Sequence, residues 1–246
     1  MNYADIKEID VQDGDGVRVS IYVSGCHFHC KECHNKEAWN FNYGKEFTEN
    51  EIDYILEKMD NDYISGLSIL GGEPLEIVNQ KGLIPLVEKV KEKFPNKNIW
   101  LYTGYLFDKD ILLDMYIKND FTRRLIDKLD IVVDGQFVLD KKIIDLKARG
   151  SYNQRKIDVQ ASIKEGKAVC LKFGDEAKYE SKVVNKNQKR FFIPAKDEKS
   201  NVVQNSIFSE ISIENIDKAV ESIIINPVEK KFAADSLNLK YYSTKT

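Results

Sequence analysis

Three of the four cysteines in this 246-residue chain, and all three of its histidines, fall within nine residues: Cys26-His27-Phe28-His29-Cys30-Lys31-Glu32-Cys33-His34. Clustered thiols suit metal binding or redox chemistry, whereas a framework of disulfides uses well-spaced bridges. The Cys-x3-Cys-x2-Cys spacing lets one short loop ligate three irons of a cubane cluster and leaves the fourth iron without a protein ligand. Zinc is the alternative, with His27, His29 or His34 as fourth ligand, although structural zinc favours two separated ligand pairs and a loop this tight strains to wrap a tetrahedron. Cys170 stands apart between Val169 and Leu171 and is expected simply to pack. A second candidate is Gly71-Gly72-Glu73-Pro74. Paired glycines let a ligand approach the main chain, and Glu73 offers a carboxylate to an amino acid's ammonium group.

These segments need elements to hold them. Val17, Val19, Ile21 and Val23 alternate with Arg18, Ser20 and Tyr22, the period of a strand. Thr48 to Met59 reads as a helix, with Thr48 and Glu51 in capping-box relation. Leu67–Leu70 is a strand running into GGEP, and Leu83 to Phe94 a helix. Asn98–Tyr102 is a strand ending in Thr103-Gly104-Tyr105, Ile111–Ile117 a helix, and Asp130–Val133 a strand followed by Asp134-Gly135. Beyond Gln136 the pattern weakens. The order βαβαβαβ specifies an α/β fold with a mostly parallel sheet, as a partial barrel or an open doubly wound sheet. In such sheets ligands bind at the carboxyl ends of the strands, where every unusual segment here falls.

Composition sets the outer limits. There are 37 basic and 40 acidic residues, 42% of the chain is apolar, and no apolar run approaches a membrane span. A soluble, cytoplasmic protein is expected, with no electrostatic case for nucleic acid. All thirteen glycines lie at or before Gly174, and residues 181–246 carry 11 basic and 8 acidic side chains against 26 and 32 before them. This shift predicts a domain over residues 1–180 and an ordered α+β appendage over 181–246.

The motif set resembles the radical S-adenosylmethionine (SAM) family. Cys26, Cys30 and Cys33 after the first strand and GGEP after a later one carry the likeness, and Gly25, His34-Asn35 and Trp39 narrow it to the glycyl-radical-enzyme activases. Within these, Trp100-Leu101-Tyr102-Thr103-Gly104-Tyr105, Val132-Val133-Asp134-Gly135-Gln136-Phe137 and Arg149-Gly150-Ser151-Tyr152-Asn153-Gln154-Arg155 are similar to the branch that acts on an anaerobic ribonucleoside-triphosphate reductase. The resemblance spans roughly residues 5–172 and implies a partial (β/α) barrel. It implies that Cys26, Cys30 and Cys33 hold a [4Fe–4S] cluster, and that Gly71, Gly72 and Glu73 bind the SAM ammonium. Glu32 and His34 line the adenosyl side, although Glu32 departs from the aromatic residue usual at that position. Thr103 and Asp134 share the rim as substrate, cofactor or cation contacts, and Arg149 to Arg155 position cofactor or partner. The implied partners are the glycyl-radical subunit of the reductase and a flavodoxin-like or ferredoxin-like electron donor. Another activase, such as that of pyruvate formate-lyase, or a zinc-stabilised binding module are the competing expectations.

Overall fold

The computed structural model describes residues 1–176, so the expected boundary near residue 180 and the appendage lie outside the described residues. One mixed sheet of eight strands, in the order β3-β1-β2-β4-β5-β6-β7-β8, organises the fold. Its middle is parallel: β2 (Val17–Val23), β4 (Ile64–Gly71), β5 (Asn98–Tyr102) and β6 (Ile131–Asp134), the four strands legible in the sequence. Antiparallel strands flank them: β1 (Asn2–Asp10) with the two-residue β3 (Lys45–Glu46) on one side, β7 (Arg155–Asp158) and β8 (Val169–Leu171) on the other.

Helices connect the parallel strands. In α1 (Glu49–Met59) the capping box is present, Thr48 accepting from the helix amides while the Glu51 carboxylate accepts from the Thr48 amide. The helix α2 spans Ile77–Lys93 and starts six residues before the expected Leu83, because Gly82 and Pro85 interrupt an otherwise continuous pattern. After β5 a π-helical segment, Phe107–Met115, runs into α3 (Tyr116–Lys118), followed by α4 (Asp120–Ile126). α5 (Val159–Glu165) follows β7. Among the described residues, no helix is long and apolar enough to cross a membrane.

The two faces of the sheet differ in kind. Val19, Ile21, Leu67, Ile69, Ile99, Leu101, Val132 and Ile157 form one apolar face, in a single core with Ile55 and Met59 of α1, Leu86 and Val90 of α2 and Ile126 of α4. The opposite face carries Arg18, Ser20, Ser68, Trp100, Tyr102 and Lys156 in register. It is also covered. Arg18 is fully buried; its guanidinium donates to the Ser68 hydroxyl at 2.6 Å, the Asn98 side chain at 2.7 Å and the Leu67 carbonyl at 2.7 Å, and lies over the Trp100 ring. The β1–β2 loop folds across this layer, with Asp15 paired to Lys156 at 2.6 Å. Cys170 is a correction to the expected packing: on β8, the last strand of the sheet among the described residues, its thiol is exposed.

Candidate functional site

The cysteine loop begins where β2 stops. Gly25 turns with φ +99°, its amide donates to the Ala38 carbonyl at 2.7 Å, and the Cys26 amide donates to Trp39 at 3.2 Å. The loop is thereby stitched to the 3-10 turn Glu37–Trp39. His29 and Glu32, each immediately before a cysteine, adopt left-handed backbone at φ +48° and +57°. Such conformations in non-glycine residues persist where the surroundings over-determine them, commonly at functional sites. Here they turn Cys30 and Cys33 onto the wall of the cavity that Cys26 also lines.

Backbone amides face the sulfurs: those of Phe28 and His29 at Cys26, that of Phe137 at Cys30, and that of Asn35 at Cys33, 3.4 Å away. Amide donors stabilise thiolate and tune the potential of a thiolate-bound cluster. Burial nevertheless pushes the free Cys26 thiol up to about 11, and burial with the neighbouring Cys33 raises Cys30. A cation that binds thiolate resolves that conflict, since ligation displaces the proton. The residues therefore fit a cluster. They fit zinc less well: among the described residues no three His, Cys, Asp or Glu side chains converge on a single-ion position. The imidazoles are engaged elsewhere, His27 with Glu76 at 2.8 Å and the Phe41 ring, His29 with Trp39, His34 near Phe137.

The glycines of GGEP answer a different need from the one expected. A Cβ on Gly72 would lie 2.5 Å from the Gly25 carbonyl oxygen and 2.8 Å from that of Ala38, so the room is taken by the chain's own backbone. Gly71, at φ +112°, is equally close to Val23. The two loops are thus locked together, also through the Gly72 amide to Val23 and the Glu73 amide to Gly25. Gly72→Ala should therefore destabilise the apoprotein by about 1–3 kcal/mol, as overpacking does. Thermal unfolding checks this, and an unchanged midpoint would refute the close approach.

Glu73 is buried and lines the cavity. Its Oε1 accepts from the Leu75 amide at 2.9 Å and the Thr103 hydroxyl at 2.8 Å, and its Oε2 from the Gly104 amide at 2.8 Å. The carboxylate joins the ends of β4 and β5 and keeps a lone-pair position on Oε2 for a further donor. Burial pushes its pKa up to about 7 against these three bonds.

Asp134 is fully buried, but Arg155 and the Phe107 amide occupy its oxygens, and Asp108 takes the other side of Arg155 at 2.6 Å. It starts the π-helical segment and is absent from the cavity lining. The Asn153-Gln154-Arg155 run is turned inward onto its own backbone: the Gln154 Oε1 accepts from Gly150 and Ser151 while its amide donates to the Gly135 carbonyl. Glu32 points away from the cavity, 61% exposed and near Lys36 at 3.7 Å. Glu32→Ala should accordingly leave SAM affinity within about twofold; a larger loss by equilibrium dialysis would return Glu32 to the site. The cavity, about 960 Å³, brings together Cys26, Cys30, Cys33, His34, the Gly71–Glu73 turn and Thr103.

Comparison with known proteins rests on the same region. The profile of the 4Fe-4S single cluster domain family matches residues 12–157. The anaerobic ribonucleoside-triphosphate reductase-activating protein of Escherichia coli (strain K12) is 35% identical over 156 residues, covering 63% of this chain and 96% of that protein. Those of Vibrio cholerae and Enterobacteria phage T4 are each 36% identical over 156 residues, covering 96% and 92% of their lengths. The chain belongs to this activating-protein family.

Some residues of this family member that build its site were not singled out from sequence. Asn79 of α2 is fully buried and donates to the carbonyls of Ser24 and Glu73, pinning the cysteine loop and the GGEP turn to one helix. Gln80 beside it donates to Leu75 and accepts from Thr122. The available signal was an amide pair five and six residues after the GGEP proline, at the start of a helix that the glycine and proline concealed. Tyr22 and Asp13, 2.6 Å apart in the cavity lining, are a second case.

Proposed function

We propose that this protein activates an anaerobic ribonucleoside-triphosphate reductase as a radical SAM enzyme. The observation that carries the reading is the meeting of three amide-bonded thiols and the GGEP turn on one cavity wall. When bound, a reduced [4Fe–4S] cluster would supply the one electron for reductive cleavage of SAM to methionine and a 5′-deoxyadenosyl radical, the chemistry that abstraction of a glycine hydrogen on the reductase requires. The chain's own residues bind, orient and exclude water. Cys26, Cys30 and Cys33 would hold the cluster, and Glu73 with Gly71 and Gly72 would receive the SAM ammonium, the free lone pair of Glu73 accepting a hydrogen bond from it. His34 would lie on the adenosyl side. Thr103 and Asp134 act through others, Thr103 by holding Glu73 and Asp134 by holding Arg155.

Residues from five strands and their loops, Lys7, Tyr22, Gly71, Tyr102 and Gly135 among them, converge on the one cavity. This convergence supports a sheet curved as a partial (β/α) barrel. Thiol ligation without disulfides suits a reducing compartment, hence the cytoplasm. A flavodoxin-like or ferredoxin-like protein is the proposed donor, because the reaction consumes one low-potential electron per turnover. The relatives account for 63% of the chain, which supports an extension beyond the shared domain; residues 181–246 are proposed as that extension, with partner recognition as its role. Truncation after residue 180 should retain the cluster and SAM cleavage while glycyl-radical yield falls.

The decisive experiment is anaerobic coexpression with the reductase and, separately, with pyruvate formate-lyase, scored by electron paramagnetic resonance. A glycyl doublet on the reductase alone supports the reading. A doublet only on pyruvate formate-lyase would transfer the chain to that partner, and stoichiometric zinc with no SAM response would refute the enzyme.

A further inference from the structure

The cavity wall beside the cysteine loop is made by residues 146–150, with Asp145 just before them, and the segment 145–150 is strained. Asp145 and Ala148 hold left-handed backbone at φ +72° and +46°, so all four left-handed non-glycine residues among those described lie in this segment or in the cysteine loop. The two are in contact through Phe137. A Cβ on Gly150 would lie 2.9 Å from the Phe137 ring, the Phe137 amide faces the Cys30 sulfur, and His34 packs near the ring at 6.1 Å. Backbone strain of this kind needs anchoring from outside the strained segment.

One anchor comes from Gln154, immediately before β7, whose Oε1 accepts from Gly150 and Ser151. Another comes from further along the chain. The Asp175 Oδ2 accepts from the Lys147 amide at 2.7 Å, and its Oδ1 pairs with the Arg149 Nη2 at 2.7 Å. These side chains are 3% and 4% exposed, and the Arg149 guanidinium lies 3.9 Å from the centre of the Phe173 ring. The Glu176 carboxylate closes the turn by accepting from the Phe173 and Gly174 amides. Lys147, Arg149 and Gly150 line the cavity; Asp175 does not. Asp175 also lies beyond the 12–157 stretch that the family profile matches.

We propose that Asp175 is a positioning residue for ligand binding, fixing the strained 145–150 segment through Lys147 and Arg149. A residue beyond the family-matched stretch is thereby wired to SAM affinity. A buried, doubly engaged carboxylate has the geometry for this, since loss of either bond frees a segment that holds its conformation only under constraint. The proposal rests on the cavity being the SAM site.

The test uses the full-length protein, reconstituted anaerobically with iron and sulfide, and its Asp175→Asn variant. Expected are wild-type iron and sulfide content, a SAM Kd raised about tenfold, and hydrogen exchange accelerated in residues 145–150 but not across the sheet. Asp175→Glu should restore most of the affinity, which a general loss of stability would not allow. If Asp175→Asn fails to fold, the Arg149→Met/Asp175→Leu pair, which removes both charges, should fold and show the same weakened binding. SAM binding by either variant within about twofold of wild type overturns the proposal. Exchange in the ligand-free protein separates the two readings: wild type that binds no SAM sinks the cofactor assignment, whereas unchanged exchange at 145–150 in Asp175→Asn sinks the anchor.

Discussion

Serine in place of Cys26, Cys30 or Cys33, one at a time, should abolish the [4Fe–4S] cluster and SAM cleavage while leaving the apoprotein folded. Each thiol lines the cavity, and each is approached by a backbone amide that favours its charged, ligating form. An alcohol in the same place retains its proton near neutral pH and is a poor ligand for iron. Cys26 is the most buried of the three, so its replacement leaves the least room for water to act as substitute ligand. Cys170→Ser is the matched control, because its thiol is exposed on β8, away from the cavity lining. Iron and acid-labile sulfide content, with the visible spectrum after reconstitution, read the result. A full cluster in any of the three variants, or its loss with Cys170→Ser, would remove the ligand assignment.

The second large effect concerns stability. Glu73→Ala should cost the apoprotein about 3–5 kcal/mol, because it strips partners from the Leu75 and Gly104 amides and the Thr103 hydroxyl at once. The cost should depend on pH. Burial raises the folded-state pKa of Glu73 to about 7 from 4.5, so the folded protein holds this proton more tightly than the unfolded chain. Its contribution is complete below the unfolded value and is lost as pH rises through 7, a change of roughly 3 kcal/mol. Urea unfolding of wild type should therefore show a midpoint that falls between pH 5 and 8, and the alanine variant a flatter profile in that window. Equal slopes would mean that Glu73 does not titrate there.

The sequence displayed the parts whose signals are local. Rarity and spacing announced the three thiols, and apolar runs announced β2, β4, β5 and β6. Strand β1 escaped because four of its nine residues are charged and only Tyr3 and Asp10 are buried. Strand β7 escaped because three of its four residues are charged, and Arg155 and Lys156 are accommodated by Asp134 and Asp15, partners 21 and 141 residues away. No window of hydropathy registers such pairs. The same blindness applies to Arg18. Alternation located its strand, but a polar face that looks onto a covered layer reads like one that looks onto water. At Glu32 the difficulty is geometric, since one left-handed residue redirects a side chain that spacing alone would keep beside its neighbours.

The distances along the chain between bonded partners also fix an order of events during synthesis. The thiols and the GGEP turn leave the ribosome early, yet the layer beneath the cavity is tied by Lys156 to Asp15, and its strained wall by Asp175 to Arg149. A nascent chain that ends before residue 175 presents free cysteines beside an unfinished wall. Translation at about 5–20 residues per second makes that interval some seconds to half a minute, long enough for an exposed thiol to meet stray metal or oxidant. In a protein ending near residue 176 the final anchor would be released only at termination. Here at least 70 further residues follow Glu176, so Asp175 is available to Arg149 before synthesis ends.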